Sequence, residues 1–255
     1  MNQANKKRLD VKLVERGLVS TRSQAESYIK LKKVSVNGQI VNKSGYQLSN
    51  SDVIGLEAGT QYVSRAALKL QSIVSQFDVN FKDKNVLDVG SSTGGFTDYS
   101  LKQGASRVIA IEVGSQQLHP SLRSNPAIEL HEKTDIRDVL PYGTSGKGIS
   151  LKFVPDIVLI DLSFVSLRQV LSQIANLVDQ KSKLIVMVKP QFEAQESGMK
   201  HKGVIKNETI RRTILRDFET WVNKDFIIIN KLDSKITGAK GNLERFYLLS
   251  KVGAR

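Results

Sequence analysis

Four charged residues fall where a folded sheet would present them together. Asp161 closes an apolar strand in IVLIDLSFVSL, and Lys189 closes another in LIVMVKPQFE, followed at once by Pro190. Glu244 opens a third in GNLERFYLL, and Lys69 lies on SRAALKL, a helical stretch ahead of a small-residue loop. Taken singly, each reads as a charge that caps or solubilises a strand end. Together, two of each sign at the carboxyl edge of one sheet can orient a polar substrate and manage a proton.

The loop belongs to NVLDVGSSTGGFTDYSL, Asn85–Leu101. Val86, Leu87 and Val89 are strand residues, with Asp88 at the carboxyl end. Gly90, Ser91, Ser92, Thr93, Gly94 and Gly95 form a turn with almost no side-chain bulk, so a ligand can approach the backbone. Phe96, Tyr99 and Leu101 then begin a helical pattern. In a doubly wound domain this is where a nucleotide-like cofactor sits. A dinucleotide fingerprint would place glycine at Ser92, so an NAD reading is weakened. Glu112, followed by Val113 in IAIEVG, can bond a ribose through both hydroxyls, a feature shared by NAD and S-adenosylmethionine sites.

The elements that must position these residues alternate. Strands are expected at Asn85–Val89, Arg107–Val113, Ile128–His131, Ile157–Asp161, Leu184–Lys189, Phe226–Asn230 and Arg245–Lys251. Helices are expected at Ser64–Phe77, Gly95–Lys102, Ser166–Val178 and Glu208–Val222. That order predicts an α/β fold around a mostly parallel sheet. The last two strands pair antiparallel across the Gly238–Asn242 loop, which places a reversed strand at the far end.

Arg8–Gly55 has a different texture. Leu9, Leu13, Val14 and Leu18 recur at helical spacing as far as Gly17. Ser20 or Thr21 caps a second helix that buries Ala25, Tyr28, Ile29 and Leu31. Val34 and Val36 alternate, Asn37-Gly38 makes a type I′ turn, Ile40-Val41 returns, and a further strand follows at Val53–Leu56. This is a small α+β module, too small for an enzyme core. Leu56–Val63 reads as linker, giving domains at 1–59 and 64–255 with 60–63 between them.

The 255 residues are 40% apolar, contain no cysteine and carry a net charge of +13. The absence of cysteine excludes disulfides and thiolate chemistry, and it fits a reducing cytoplasm and a cysteine-free secreted protein equally. The excess of Lys and Arg points to a polyanionic partner, most often nucleic acid. It is denser at the front, where residues 1–60 hold ten Lys/Arg against five Asp/Glu. The N-terminal MNQANKKRLDVKLVERG is basic without an apolar stretch behind it and does not read as a signal peptide. Leu184–Val188 and Phe226–Ile229 are too short to span a bilayer, so no membrane insertion is expected. His119, His131 and His201 show no metal-ligand pattern.

RLDVKLVERGLVSTRSQAESYIKLKKVSVNGQIV resembles the small RNA-binding domain shared by a primary-binding ribosomal protein, pseudouridine synthases and tyrosyl-tRNA synthetases. The resemblance implies that Arg8, Arg22, Lys32 and Lys33 face an RNA backbone. With few aromatics in the module, shape and phosphate readout are expected. The ordered set SRAALKL, LDVGSSTGGFTDYSLKQGASRVIAIEVGSQQL, DLSFVSL, VKPQFE and GNLERFYLL is similar to the TlyA (hemolysin A-like) family of ribosomal RNA 2′-O-methyltransferases, whose catalytic domain is FtsJ/RrmJ-like. This resemblance covers essentially the whole chain.

It implies a Lys-Asp-Lys-Glu tetrad of Lys69, Asp161, Lys189 and Glu244. It also implies an S-adenosylmethionine site drawing on Asp88, Gly90, Ser91, Ser92, Gly94, Gly95, Phe96, Glu112, Val113, Asp135 and Asp161, with no metal. Arg65 joins the RNA-facing set, and the substrate implied is ribosomal RNA within ribosomal subunits, with cytidine as the nucleoside. Lys189 would act as base or as electrostatic steerer, oriented by Asp161, with Lys69 and Glu244 completing the network. Two departures stand out: Ala66-Ala67 where the family often has glycines, and Asp135 where it often has asparagine near the adenine. Other readings are a non-catalytic ribosome-assembly factor, a membrane-lytic protein and an NAD enzyme; the intact tetrad and the lack of spanning segments disfavour the first two. The linker runs straight into the helix carrying Lys69, so RNA docking is expected to help order the pocket.

Overall fold

A computed structural model describes residues 7–57, 61–199, 203–238 and 240–253. Residues 1–6, the linker centre at 58–60 and His201 lie outside the described residues, as do the expectations attached to them. At the front, β1 (Lys7–Arg8) leads into α1 (Leu9–Glu15), and Gly17 ends that turn at φ +67°. Thr21, rather than Ser20, caps α2 (Arg22–Lys30) by accepting from the Gln24 amide at 3.2 Å. β2 (Val34–Val36) and β3 (Gln39–Ile40) are joined by Asn37-Gly38, both at positive φ as a type I′ turn requires. β4 (Gln47–Leu48) pairs with β1, and β5 (Ile54–Leu56) pairs with β2.

The large domain opens with α3 (Arg65–Phe77), β6 (Asn85–Val89), α4 (Gly95–Lys102) and β7 (Arg107–Glu112). It continues through α5 (Pro120–Arg123), β8 (Ile128–Glu132), β9 (Val139–Leu140), β10 (Ile149–Ser150) and β11 (Ile157–Ile160). α6 (Arg168–Leu177), β12 (Lys183–Val188), α7 (Pro190–Glu193), α8 (Glu208–Val222), β13 (Phe226–Asp233) and β14 (Arg245–Lys251) complete it. The seven-stranded sheet runs β13-β14-β12-β11-β6-β7-β8. Only β14 is reversed, antiparallel to both β12 and β13. It therefore lies inside the sheet rather than at its far end, and β13 forms the edge. The inner place suits its sequence, since Phe246, Tyr247, Leu248 and Leu249 are all buried, whereas β13 exposes Ile227 and Ile229.

Strand residues buried on both faces explain the near-continuous apolar runs, as expected where helices cover both sides. Val170, Leu171, Ile174 and Leu177 of α6 and Leu215, Phe218 and Val222 of α8 fill one face. The other face continues into the front module: one buried cluster runs from Leu13 and Tyr28 through Tyr62 to Leu70 and Phe81. Tyr62 is pinned from both sides. Its carbonyl accepts from Gln24 Nε2 at 3.0 Å, and its ring stacks on Tyr99 at 5.5 Å under the Lys102 ammonium. No helix among the described residues is long and apolar enough to cross a membrane.

Candidate active site

β6 and β11 run parallel, but the order of strand addition reverses between them, with β7 and β8 on one side and β11 and β12 on the other, so a crevice opens at their carboxyl ends, the usual ligand position in such sheets. Gly90 makes the crevice possible. It sits at φ +82°, and a Cβ there would lie 2.7 Å from the Asp161 carbonyl oxygen and 2.9 Å from Leu162 Cδ2. The strand end and the Asp161 loop thus touch backbone to backbone. A cavity of about 470 Å³ lies above them, walled by Gly90, Ser92, Glu112, Val113, Asp135 and Asp161 among others.

Glu112 is fixed in orientation by two backbone donors, Ser92 N at 2.9 Å and Gly114 N at 2.8 Å, one to each oxygen. The Gln117 side-chain amide also reaches the Gly114-bonded oxygen, at 3.5 Å, which leaves the Ser92-bonded oxygen the freer to accept from a hydroxyl. Asp135 is ion-paired to Arg137 at 2.6 Å, which holds its carboxyl below the usual range despite partial burial. Ser92, at φ +47°, turns its hydroxyl to Gln117 Oε1, so the position that a dinucleotide fingerprint leaves bare carries a side chain.

Five residues expected at the cofactor do not form that wall. Gly95 packs α4 against α3: a Cβ there would meet Ser64 Oγ at 2.2 Å and Ala66 Cβ at 2.9 Å. Gly94 faces Leu118 and Leu122, and Phe96 is buried against Phe246. Asp88 and Ser91 are buried beneath the loop. Asp88 accepts from Thr97 Oγ1 at 2.6 Å, while its other oxygen and the Ser91 hydroxyl find no partner among the described residues. Burial, with Asp161 and Glu112 nearby, pushes Asp88 up to about 7.

A second cavity of about 340 Å³ adjoins the first, sharing Asp161, Ser163 and Phe164. All four tetrad residues line it. Asp161 follows β11 and Lys189 follows β12. Because β14 is reversed, its first residues lie at the same sheet edge, with Val188 paired to Arg245, and this brings Glu244 in. Lys69 reaches across from α3. The residues form two ion pairs: Lys69 with Glu244, both buried, and Lys189 with Asp161 at 2.7 Å. The second contact is close without aligning as a hydrogen bond, and Lys189 Nζ also donates to Ser163 Oγ at 2.7 Å.

Sequence reasoning missed Phe164. It is 89% exposed at φ +68°, borders both cavities and stacks on Phe192 at 5.4 Å. Its place three residues after Asp161, just past the end of an apolar strand in DLSF, was the available signal. Arg65 lines the second cavity and reaches Ser23 of α2, so it sits between the modules. Arg8 and Arg22 are gathered by Asp10, at 2.8 and 2.9 Å, itself inaccessible to solvent. Lys32 is exposed and Lys33 half-buried at the turn between α2 and β2.

The FtsJ-like methyltransferase profile matches residues 62–251, and the S4 domain profile matches residues 7–54. The chain belongs to the FtsJ-like methyltransferase family. It is 32% identical to the 16S/23S rRNA (cytidine-2′-O)-methyltransferase TlyA of Mycobacterium tuberculosis, over 96% of this chain and 90% of that one. It is 39% identical to the 23S rRNA (cytidine-2′-O)-methyltransferase TlyA of Campylobacter jejuni, over 74% and 71%. A solved hemolysin-type structure from Streptococcus thermophilus superposes with a TM-score of 0.70 at 30% identity, covering 98% of this chain and 90% of that one. A likeness that spans both domains makes this a TlyA-type methyltransferase in architecture, not an FtsJ-like domain alone.

Proposed function

We propose that this protein methylates the 2′-hydroxyl of a cytidine in ribosomal RNA, within ribosomal subunits in the cytoplasm, using S-adenosylmethionine. The observation that carries the proposal is the meeting, at one sheet edge, of a cavity sized for a nucleoside cofactor and a second cavity lined by Lys69, Asp161, Lys189 and Glu244.

S-adenosylmethionine, when bound, supplies an already activated methyl group. Glu112 would hold its ribose, Asp135 its adenine, and the Gly90–Ser92 backbone its remaining length. The Glu112 carboxylate, oriented by two backbone amides at the cavity wall, supports a polar ligand at this loop. What remains for the protein is to align the accepting oxygen and stabilise the charge it develops as its proton leaves. Lys189 Nζ is the cation placed for that, held on one side by Asp161 and on the other by Ser163. Lys69 and Glu244 neutralise each other and fix the opposite wall. Phe164 offers a face on which a base drawn out of its stack can rest, since every base presents a π surface.

In the domain division proposed, residues 1–59 dock the RNA and residues 64–255 transfer the methyl group, joined by 60–63. Arg8, Arg22, Lys32, Lys33 and Arg65 contact phosphates.

The test is transfer of labelled methyl from S-adenosylmethionine to ribosomal subunits lacking this modification, followed by nucleoside analysis. Label in 2′-O-methylcytidine is expected. Lys189→Ala should retain cofactor affinity within about threefold and lose at least about 100-fold in turnover, the scale for removing a charge-stabilising donor. Label on a base, or full turnover in Lys189→Ala, would overturn the assignment.

A further inference from the structure

The Lys189–Asp161 pair is carried by two strand-end loops, residues 161–167 after β11 and residues 189–193 after β12, the second made largely of the single helical turn α7. Three contacts join the loops on the cavity side: Lys189 with Asp161, Lys189 with Ser163, and Phe164 with Phe192. All three face the space that substrate must enter. A fourth contact lies on the closed side. The Glu193 side chain, 1% exposed, accepts from Ser166 Oγ at 2.7 Å through one oxygen and from the Leu167 amide at 2.7 Å through the other. The Arg168 guanidinium stands 3.8 Å away and is itself tied to α8 by Asp217 at 2.6 Å and by stacking over Trp221.

We propose that Glu193 is a positioning residue that fixes the Lys189–Asp161 geometry by stapling together the two loops that carry them. The proposal rests on the methyl-transfer reading of that site. Glu193 touches neither cavity, so it has no part in the chemistry itself. Its reach is short: Glu193 lies four positions after Lys189, and Ser166 five positions after Asp161. A slip of about 1 Å at the staple therefore arrives at Lys189 nearly undiminished, and displacements of that size cost about 100-fold in positioned reactions. Burial pushes the Glu193 carboxyl up, against Ser166, the Leu167 amide and Arg168, with Glu196 adding to the rise. Its protonated form still accepts from Leu167 and donates to Ser166, as a glutamine would. The staple is thus a matter of shape and hydrogen bonding, not of charge.

Three variants separate this from a general loss of structure. Glu193→Ala should lower kcat about 10- to 100-fold with KM for RNA unchanged within about twofold. Glu193→Gln should restore kcat to within about threefold of wild type, and Ser166→Ala, which leaves the Leu167 contact, should fall between them. Wild-type kcat in Glu193→Ala, a loss seen only in KM, or a glutamine variant no better than alanine would each overturn the proposal. If Glu193→Ala fails to fold, Ser166→Ala decides, with unchanged kcat counting against. A second readout does not depend on turnover. Acetylation of Lys189 by acetic anhydride, followed by mass spectrometry, should quicken in Glu193→Ala and not in Glu193→Gln. Wild-type protein that transfers no methyl would refute the proposed reaction, while the acetylation rates would still decide the staple.

Discussion

Replacing Lys69 with methionine leaves Glu244 buried without its cation. The two side chains are 7% and 3% exposed, so neither end of the pair is rescued by solvent. Methionine keeps most of the lysine stem's volume and flexibility, so packing is nearly preserved and the change is chiefly electrostatic. Removing one partner of a buried pair costs about 3–5 kcal/mol. For a chain of this size each kcal/mol moves Tm by about 2–4 °C, which predicts a fall of about 6–20 °C. The double variant Lys69→Met with Glu244→Leu should recover most of that loss, because an apolar pair of similar volume is often as stable as the ions it replaces. Both variants should remain inactive in methyl transfer, since the pair walls the acceptor cavity. Chemical denaturation gives the stabilities, and the two singles with the double give the coupling energy. A single variant that costs less than about 1 kcal/mol, or a double no more stable than either single, would refute the claim that these charges depend on each other.

Gly90→Ala should be damaging for two reasons that add. Left-handed backbone costs an alanine about 1–2 kcal/mol. The new Cβ must also displace the Asp161 carbonyl, overpacking worth about 1–3 kcal/mol. Tm and S-adenosylmethionine affinity should fall together, and an unchanged Tm would count against the close approach. Acid should loosen the front module through Asp10. Burial opposes its ionisation, but hydrogen bonds from Arg8 and Arg22 win and hold it at about 2. A folded pKa below the unfolded one contributes stability that is full above about 4 and lost as pH falls toward about 2. Because both arginines are half-exposed, about 1–2 kcal/mol is expected, less than the bare shift implies. An Asp10→Asn variant with the same acid-unfolding curve as wild type would remove Asp10 from that role.

The strands were legible because each is a short apolar run bounded by charge or glycine, and the glycine loop marked where the sheet opens a crevice. What could not be read was which neighbours a residue meets. Gly94, Gly95 and Phe96 stand in the string beside Gly90 and Ser92 but lie outside the cavity wall, and the bare Cα at Gly95 is needed where α4 packs against α3, a contact that no string shows. The place of β14 depends on long-range pairing that hydropathy does not encode. Lys69, Asp161, Lys189 and Glu244 were recognisable as strand-end and helix charges, but their division into two pairs follows from the register of β12 and β14. Asp10 and Glu193 escaped notice because an acidic residue in a helix looks solvated until its burial is known.

The pairing has an electrostatic consequence for the front module. Lys69 with Glu244 and Lys189 with Asp161 sum to no net charge, so the tetrad itself exerts little pull on a phosphate backbone. The attraction implied by a net charge of +13 must come from elsewhere on the surface, and Arg8, Arg22, Lys32, Lys33 and Arg65 are its proposed docking end. Salt should therefore divide the two steps of the reaction. RNA affinity should fall steeply as counterion release loses its advantage, while kcat at saturating RNA should hardly change, because ion pairs in the lined cavity are screened little. Lys32→Glu with Lys33→Glu should flatten the logarithmic salt dependence of affinity by at least about 1.5 units and leave kcat at saturating RNA within about twofold. If salt or this double variant lowered kcat as strongly as affinity, phosphate contacts would be shaping the catalytic cavity directly, and docking and chemistry would not be separable.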